Sequence, residues 1–246
     1  MMASNAKLTL ETNSGVIQFD PSRTAVIVVD MQNDFGSEGG MFHRAGLDIS
    51  GIRSCIAPTG RVLSAARAAG LKIVYLKMGF RPDLSDIGPE DAPNGVRHLN
   101  LFRVGQAAPV PGRGRVLVQG DWGTGIVEEL APEPGDTIVE KHRFSGFFET
   151  ELDSILKGWS IRHLIFTGCT TSVCVESTMR DAFFRDYLSV LLADCASEPL
   201  GDIAPRSNHD ATLLIVEAML GWVSDSAKFE VALAPVLEKP KQAMRA

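Results

Sequence analysis

Thr24–Val29, TAVIVV, is an almost unbroken run of β-branched residues. A strand that shows one face to water alternates apolar and polar positions, and this run does not alternate, so both of its faces must be covered. That requirement points to a parallel sheet with helices packed on each side. Similar runs follow at 71–77, 136–140, 161–167 and 188–193, with Trp222–Val223 as a short sixth. Helical patterns stand between them at 58–69, 150–157, 174–185, 206–219 and 226–235. Pro58 suits a first helical turn, Gly70 suits a stop, and Thr150 to Asp153 reads as a capping box. Gly123–Leu130 reads as a further short helix, and Val16–Phe19 as an edge strand. The fold class expected is therefore α/β: a doubly wound, mostly parallel sheet of five or six strands with helices on both faces.

A length of 246 residues suits one such domain over 1–246, with 1–20 as a lead-in and 237–246 as a tail. Residues 36–50 read as a glycine-rich loop. Residues 79–115 hold five prolines and six glycines and read as a long irregular arm. An excursion of that length inside a compact domain usually serves as a lid or a subunit contact. It carries Arg81, Asp83, Asp86, Arg97, His98 and Arg103, each readable as surface charge.

Composition excludes several classes. The net charge is −6, and basic residues gather only at Lys239, Lys241 and Arg245, so no nucleic acid is expected as a partner. No apolar run reaches transmembrane length and the opening MMASNAKLTLETNSG has no signal-peptide core, so no membrane contact and a cytoplasmic location are expected. Cys55, Cys169, Cys174 and Cys195 form no metal knuckle, and the five histidines lack HxxxH or HExxH spacing. Neither a metal nor another cofactor is expected.

Parallel strands joined by right-handed crossovers bring their carboxyl ends to one edge, where open α/β sheets bind ligands. Asp30 follows the strand 24–29, Lys141 follows 136–140, and Cys174 follows the strand 161–167 at the start of a helix. The helix dipole and free backbone N–H groups there would favour a thiolate. Asp30 can take a thiol proton and return it to a leaving amine. Lys141 can stabilise the anions, and N–H groups of the 169–174 turn can hold an oxyanion. The product of attack would be a thioester, which water hydrolyses.

VVDMQNDF, the lysine after DTIVE, and GCTTSVCVEST together resemble the isochorismatase-like cysteine hydrolases over about residues 20–235. The resemblance implies Asp30, Lys141 and Cys174 as a catalytic triad. It also implies a cis peptide at Cys169–Thr170, with the N–H groups of Thr170 and Cys174 as the oxyanion hole. RFSGFFETELDSIL (143–156) looks like the ureidoacrylate amidohydrolases. GGMFHRAGLDIS (39–50) and RPDL (81–84) look more like the biuret and triuret hydrolases. Both branches imply a small linear ureido substrate, and with the long arm the resemblance implies a homo-oligomer, of tetramer type.

There are departures. Cys169 stands where an aliphatic residue is usual. The stretch MGFRPDLSD has no histidine, against the metal site of the nicotinamidases, and Cys174 argues against true isochorismatases. Expected substrate contacts are Phe35, Arg81, Trp122, Phe147 or Phe148, and Glu217. Two alternatives stay open: a carbamoylsarcosine-like or nicotinamide-like amide as substrate, and a non-catalytic assembly subunit of the same fold.

Overall fold

The computed structural model describes residues 7–201 and 207–238. The basic residues of the tail, the first six of the lead-in and Arg206 lie outside them. Strands β1 (Leu8–Thr12) and β2 (Gly15–Phe19) open the chain, followed by β3 (Thr24–Val29) and helix α1 (Ile56–Ala68). Next come β4 (Lys72–Met78), β5 (Thr137–Lys141), α2 (Leu152–Gly158), β6 (His163–Cys169) and α3 (Glu176–Phe183). The chain continues through β7 (Leu188–Ser197), α4 (Asn208–Ile215), β8 (Trp222–Ser224) and α5 (Ser226–Leu237).

Six strands form one parallel sheet in the order β5-β4-β3-β6-β7-β8, as the β-branched runs required. All six residues of β3 are buried. Alternate residues feed opposite layers: Val26 and Val28 join Ile73, Tyr75, Leu63 and Phe229 on the side of α1 and α5. Ala25, Ile27 and Val29 join Leu76, Phe166, Leu156 and Met179 on the side of α2 and α3. Each large aliphatic side chain so buried contributes about 1.5–3 kcal/mol.

The sheet changes direction at β3. From this centre the chain winds outward through β4 and β5, then returns to β6 and winds the other way. A crevice is expected at that switch point, above the carboxyl ends.

Several local readings are corrected. The lead-in contains an antiparallel hairpin, with Leu8 opposite Phe19, so Val16–Phe19 pairs with β1 rather than edging the main sheet. Leu8, Leu10 and Phe19 drive this, since their burial leaves alternate residues exposed. The stretch 123–130 is no single helix but two 3₁₀ turns, Trp122–Thr124 and Glu128–Leu130, with Ile126 bridged to Gln32 between them. The glycine-rich loop holds a helical turn at Met41–Arg44, and the arm holds a π-helical stretch at Val96–Leu101. Thr150 caps less than a full box: its Oγ1 accepts from Leu152 N–H at 3.3 Å. The expected helix at 174–185 begins earlier, as a π-helical turn over Thr171–Val175 that leads into α3.

Candidate active site

Asp30 caps β3 in the left-handed region, φ 51°, a conformation uncommon for residues other than glycine. Its backbone N–H still reaches the Leu76 carbonyl at 3.0 Å, so the residue closes the strand and turns its carboxylate along the sheet edge. Oδ1 accepts from Met78 N–H at 3.0 Å, and Oδ2 accepts from Lys141 Nζ at 2.7 Å. Lys141 ends β5, two strands away. Its ammonium also donates to the Arg143 carbonyl at 3.3 Å and touches Met78 Sδ at 3.7 Å. Both side chains are sealed, at 0% and 1% exposure.

Gly168 explains how β6 delivers the sulfur. Its φ is +110°, and a Cβ there would stand 2.0 Å from the Val29 carbonyl oxygen, so only glycine lets β6 press against β3 at this point. The register shifts between Phe166 and Gly168, the Cys169–Thr170 peptide is cis, and the chain turns into the π-helical turn that carries Cys174. The Thr170 carbonyl closes that turn by accepting from Val173 N–H at 3.1 Å and Val175 N–H at 3.2 Å. Cys174 thus lies in a first turn, where backbone N–H groups lack carbonyls one turn back. Its thiol faces both the Asp30 carboxyl and the Lys141 ammonium.

The electrostatics correct one expectation. Burial pushes the Cys174 thiol well above its ordinary value; Lys141 opposes this and Asp30 adds to it. The resting sulfur therefore keeps its proton. A helix terminus offers about 0.3–1 kcal/mol, whereas full burial can shift a group by several pH units, so burial wins. Burial likewise raises Asp30 against the pull of Lys141, the thiol and Met78 N–H. That makes the carboxylate a stronger base. Burial is the largest single influence on the Lys141 ammonium and lowers it, but Asp30 and Cys174 together outweigh burial and the net shift is upward.

Asp30, Cys169, Thr170 and Cys174 form the floor of a cavity of about 280 Å³, and Lys141 lies beneath it beside Asp30. Phe35 lines this cavity, edge-on to Phe42 at 5.0 Å. The other expected substrate contacts are placed elsewhere. Arg81 is exposed and folded into its own turn, with its N–H on Asp86 at 3.0 Å. Trp122 is covered by the Arg113 guanidinium at 3.8 Å. Phe147 sits in the core against Tyr187, and Phe148 is 43% exposed beside Arg143. Glu217 lies next to β8, where it accepts from Val223 N–H at 2.8 Å.

In their place the cavity wall holds Phe144, His98, Phe102 and Leu117, with Arg97 exposed where it opens. Two buried side chains missed from the sequence hold this wall. Gln32 clamps the end of β4, taking Met78 N–H at 2.7 Å and donating to the Met78 carbonyl at 2.8 Å. Asp34 accepts from Leu117 N–H at 2.9 Å and Met41 N–H at 3.1 Å. The polar residues crowded into VVDMQNDF directly after a buried strand were the available signal. Cys169 donates to the Asp30 carbonyl at 3.2 Å, filling the aliphatic position with a weak hydrogen bond. Among the described residues no cluster of His, Cys, Asp and Glu is set to hold a metal ion, and no helix is long and apolar enough to cross a membrane.

Known proteins resemble this chain in sequence and in fold. A family model described as the isochorismatase domain matches residues 24–228. The ureidoacrylate amidohydrolase RutB of Serratia proteamaculans (strain 568) is 41% identical over 232 residues, 94% of this chain and 91% of its own length. The protein of the same name from Yersinia enterocolitica is 42% identical over 219 residues, covering 89% and 93%. Among solved structures, a cysteine hydrolase from Pseudomonas syringae pv. phaseolicola 1448A superposes with a TM-score of 0.73 at 29% identity, over 89% of this chain and 95% of that one. An N-carbamoylsarcosine amidase from Thermoplasma acidophilum gives 0.60 at 25% identity, over 83% and 96%. The chain belongs to the isochorismatase family and, with these relatives, is a hydrolase of carbon–nitrogen bonds.

Proposed function

We propose that this chain is a cysteine-dependent amidohydrolase that cleaves a ureido C–N bond of a small linear substrate through a thioester. The observation that carries the reading is the meeting of Asp30 and Cys174 on one cavity floor, with the Lys141 ammonium against the Asp30 carboxylate beneath it. Asp30 takes the thiol proton as sulfur bonds to the ureido carbonyl carbon, and the C=O electron pair moves onto oxygen. N–H groups of Thr170 and Cys174 receive that oxyanion, and Lys141 stays protonated beside Asp30 throughout. Collapse expels ammonia or an amine, which leaves with the proton held by Asp30. Water then adds to the thioester, giving its proton to Asp30. The carbon–sulfur bond breaks, the thiol regains the proton, and carbamate or a carboxylate departs.

Ureidoacrylate is the first substrate to test, because the relatives bearing that name match along nearly the whole chain. Biuret and triuret follow from the motifs at 39–50 and 81–84. Ammonia release from these three and from nicotinamide, with Cys174→Ala as control, tests the reading. Turnover of a ureido compound that disappears in Cys174→Ala is expected. Turnover that survives the substitution refutes the thiol mechanism. Release from nicotinamide alone moves the substrate class, and inertness toward all four favours an assembly subunit.

A further inference from the structure

His98 is a buried side chain with one committed nitrogen and one free. It sits in the π-helical stretch Val96–Leu101, where Phe102 N–H reaches back five residues to the Arg97 carbonyl at 3.1 Å. That wider turn swings residue 98 inward, and the ring is 1% exposed. Phe80, Phe102 and Phe144 surround it, with ring centroids 5.0, 5.5 and 5.6 Å away. Nδ1 lies 2.8 Å from the Asn94 carbonyl. A carbonyl only accepts, so Nδ1 carries the hydrogen and donates. Burial first, then the charges of Arg143 and Lys141, hold the imidazole below its ordinary value, so the neutral form prevails. Nε2 is then a bare lone pair. It has no protein partner among the described residues, and His98 lines the same cavity as Cys174 and Thr170.

Its apolar neighbours in the wall, Phe35, Phe42, Phe102, Leu117 and Phe144, offer no acceptor; Arg97 there is a donor only, and the acceptors Asp30 and Thr170 belong to the floor. A lone pair in such surroundings selects a ligand that brings a donor, because a ligand without one leaves the nitrogen desolvated and unmatched. We propose that His98 is a specificity-determining residue of this site, whose Nε2 accepts a hydrogen bond from the N–H of the substrate's ureido group and so separates ureides from carbamate esters and other amides of the same shape. This rests on the ureido reading above and adds the residue that enforces it. The arm 79–115 thereby acquires a role, since it brings the acceptor to the strand ends.

The test compares 3-ureidopropanoate with 3-carbamoyloxypropanoate, which differ by NH against O at one position. Affinities are measured by calorimetry in Cys174→Ser, where no turnover intervenes. The ureide is expected to bind about tenfold more tightly, the gap set by one matched hydrogen bond. In His98→Phe in the same background, the gap is expected to close to about twofold, with the aromatic packing preserved. Selective ¹⁵N-histidine spectra of the Cys174→Ser protein supply a second readout that needs no change at residue 98. The His98 Nε2 signal is expected to move upfield with the ureide and to stay in place with its oxygen analogue. Equal affinity for both compounds, no affinity for either, or an unmoved Nε2 signal overturns the proposal. Failure of the ureido hydrolase reading shows differently: the wild-type protein then releases no ammonia from ureides while the NH/O gap and its dependence on His98 persist.

Discussion

Replacing Lys141 with methionine shows how far the buried ion pair is a mutual dependence. Nζ and Oδ2 are 2.7 Å apart, and neither side chain exceeds 1% exposure. At an effective dielectric near 20, unit charges at that distance attract by about 6 kcal/mol. Taking both ions out of water offsets most of this, so the pair as a whole adds little stability. Removing one partner strands the other, at a cost of about 3–5 kcal/mol. Lys141→Met and Asp30→Asn are each expected to lose that much in urea denaturation at pH 8. The double variant, which strands nothing, is expected to lose only about 1–2 kcal/mol, far less than the sum. The pH dependence has a definite sign. Burial already raises Asp30 above its ordinary 3.8, and without Lys141 the leading opposing charge is gone. A carboxyl raised in the folded state favours folding at acid pH, and that contribution is lost as pH climbs through the folded value. The deficit of Lys141→Met is therefore largest at pH 8 and shrinks on acidification. Additive single losses, or a deficit that deepens toward acid, would refute the reasoning.

Three other perturbations probe neighbouring parts of the site. Gly168→Ala places a methyl group 2.0 Å from the Val29 carbonyl at φ +110°, so thermal unfolding is expected at least about 4 °C lower; an unchanged midpoint contradicts the close approach of β6 to β3. Iodoacetamide is expected to modify Cys174 first, slowly at pH 7 and faster as pH rises, because the thiol opens on the cavity while its proton is held by burial. Peptide mass spectrometry reads the order, and earlier labelling of Cys55, which burial pushes to about 12, contradicts it. Asp34→Ala leaves the N–H groups of Leu117 and Met41 without their acceptor, each worth about 1–3 kcal/mol when buried. Lower stability in urea together with a raised KM is expected, and a stable variant with unchanged KM refutes the role given to Asp34.

The sheet was legible because β-branched runs buried on both faces have few other places to go. The floor of the site was legible for a related reason: once Asp30, Lys141 and Cys174 follow parallel strands, topology gathers them at one edge. The walls were not. RFSGFF offers three phenylalanines, and the one that meets the cavity is decided by the turn at Ser145–Gly146. There Gly146 N–H is held by Thr178 Oγ1 at 3.0 Å and Ser145 Oγ by Asp181 at 2.5 Å. Those partners are more than thirty residues away, beyond the reach of any local pattern. His98 was hidden similarly, in an arm rich in proline and glycine whose π-helical turn has no simple hydrophobic period. The hairpin at the start escaped because its short strands gain their burial from α5 and β8, at the other end of the chain.

The reversal of winding at β3 also divides the site between two halves of the sheet. The acid and the ammonium belong to the half of the sheet laid down first, and the sulfur arrives with the half that folds back beside it. Until those later strands dock, Cys174 is an ordinary cysteine with no neighbour to take its proton. The site is thus a property of the β3–β6 pairing and belongs to neither half of the sheet alone.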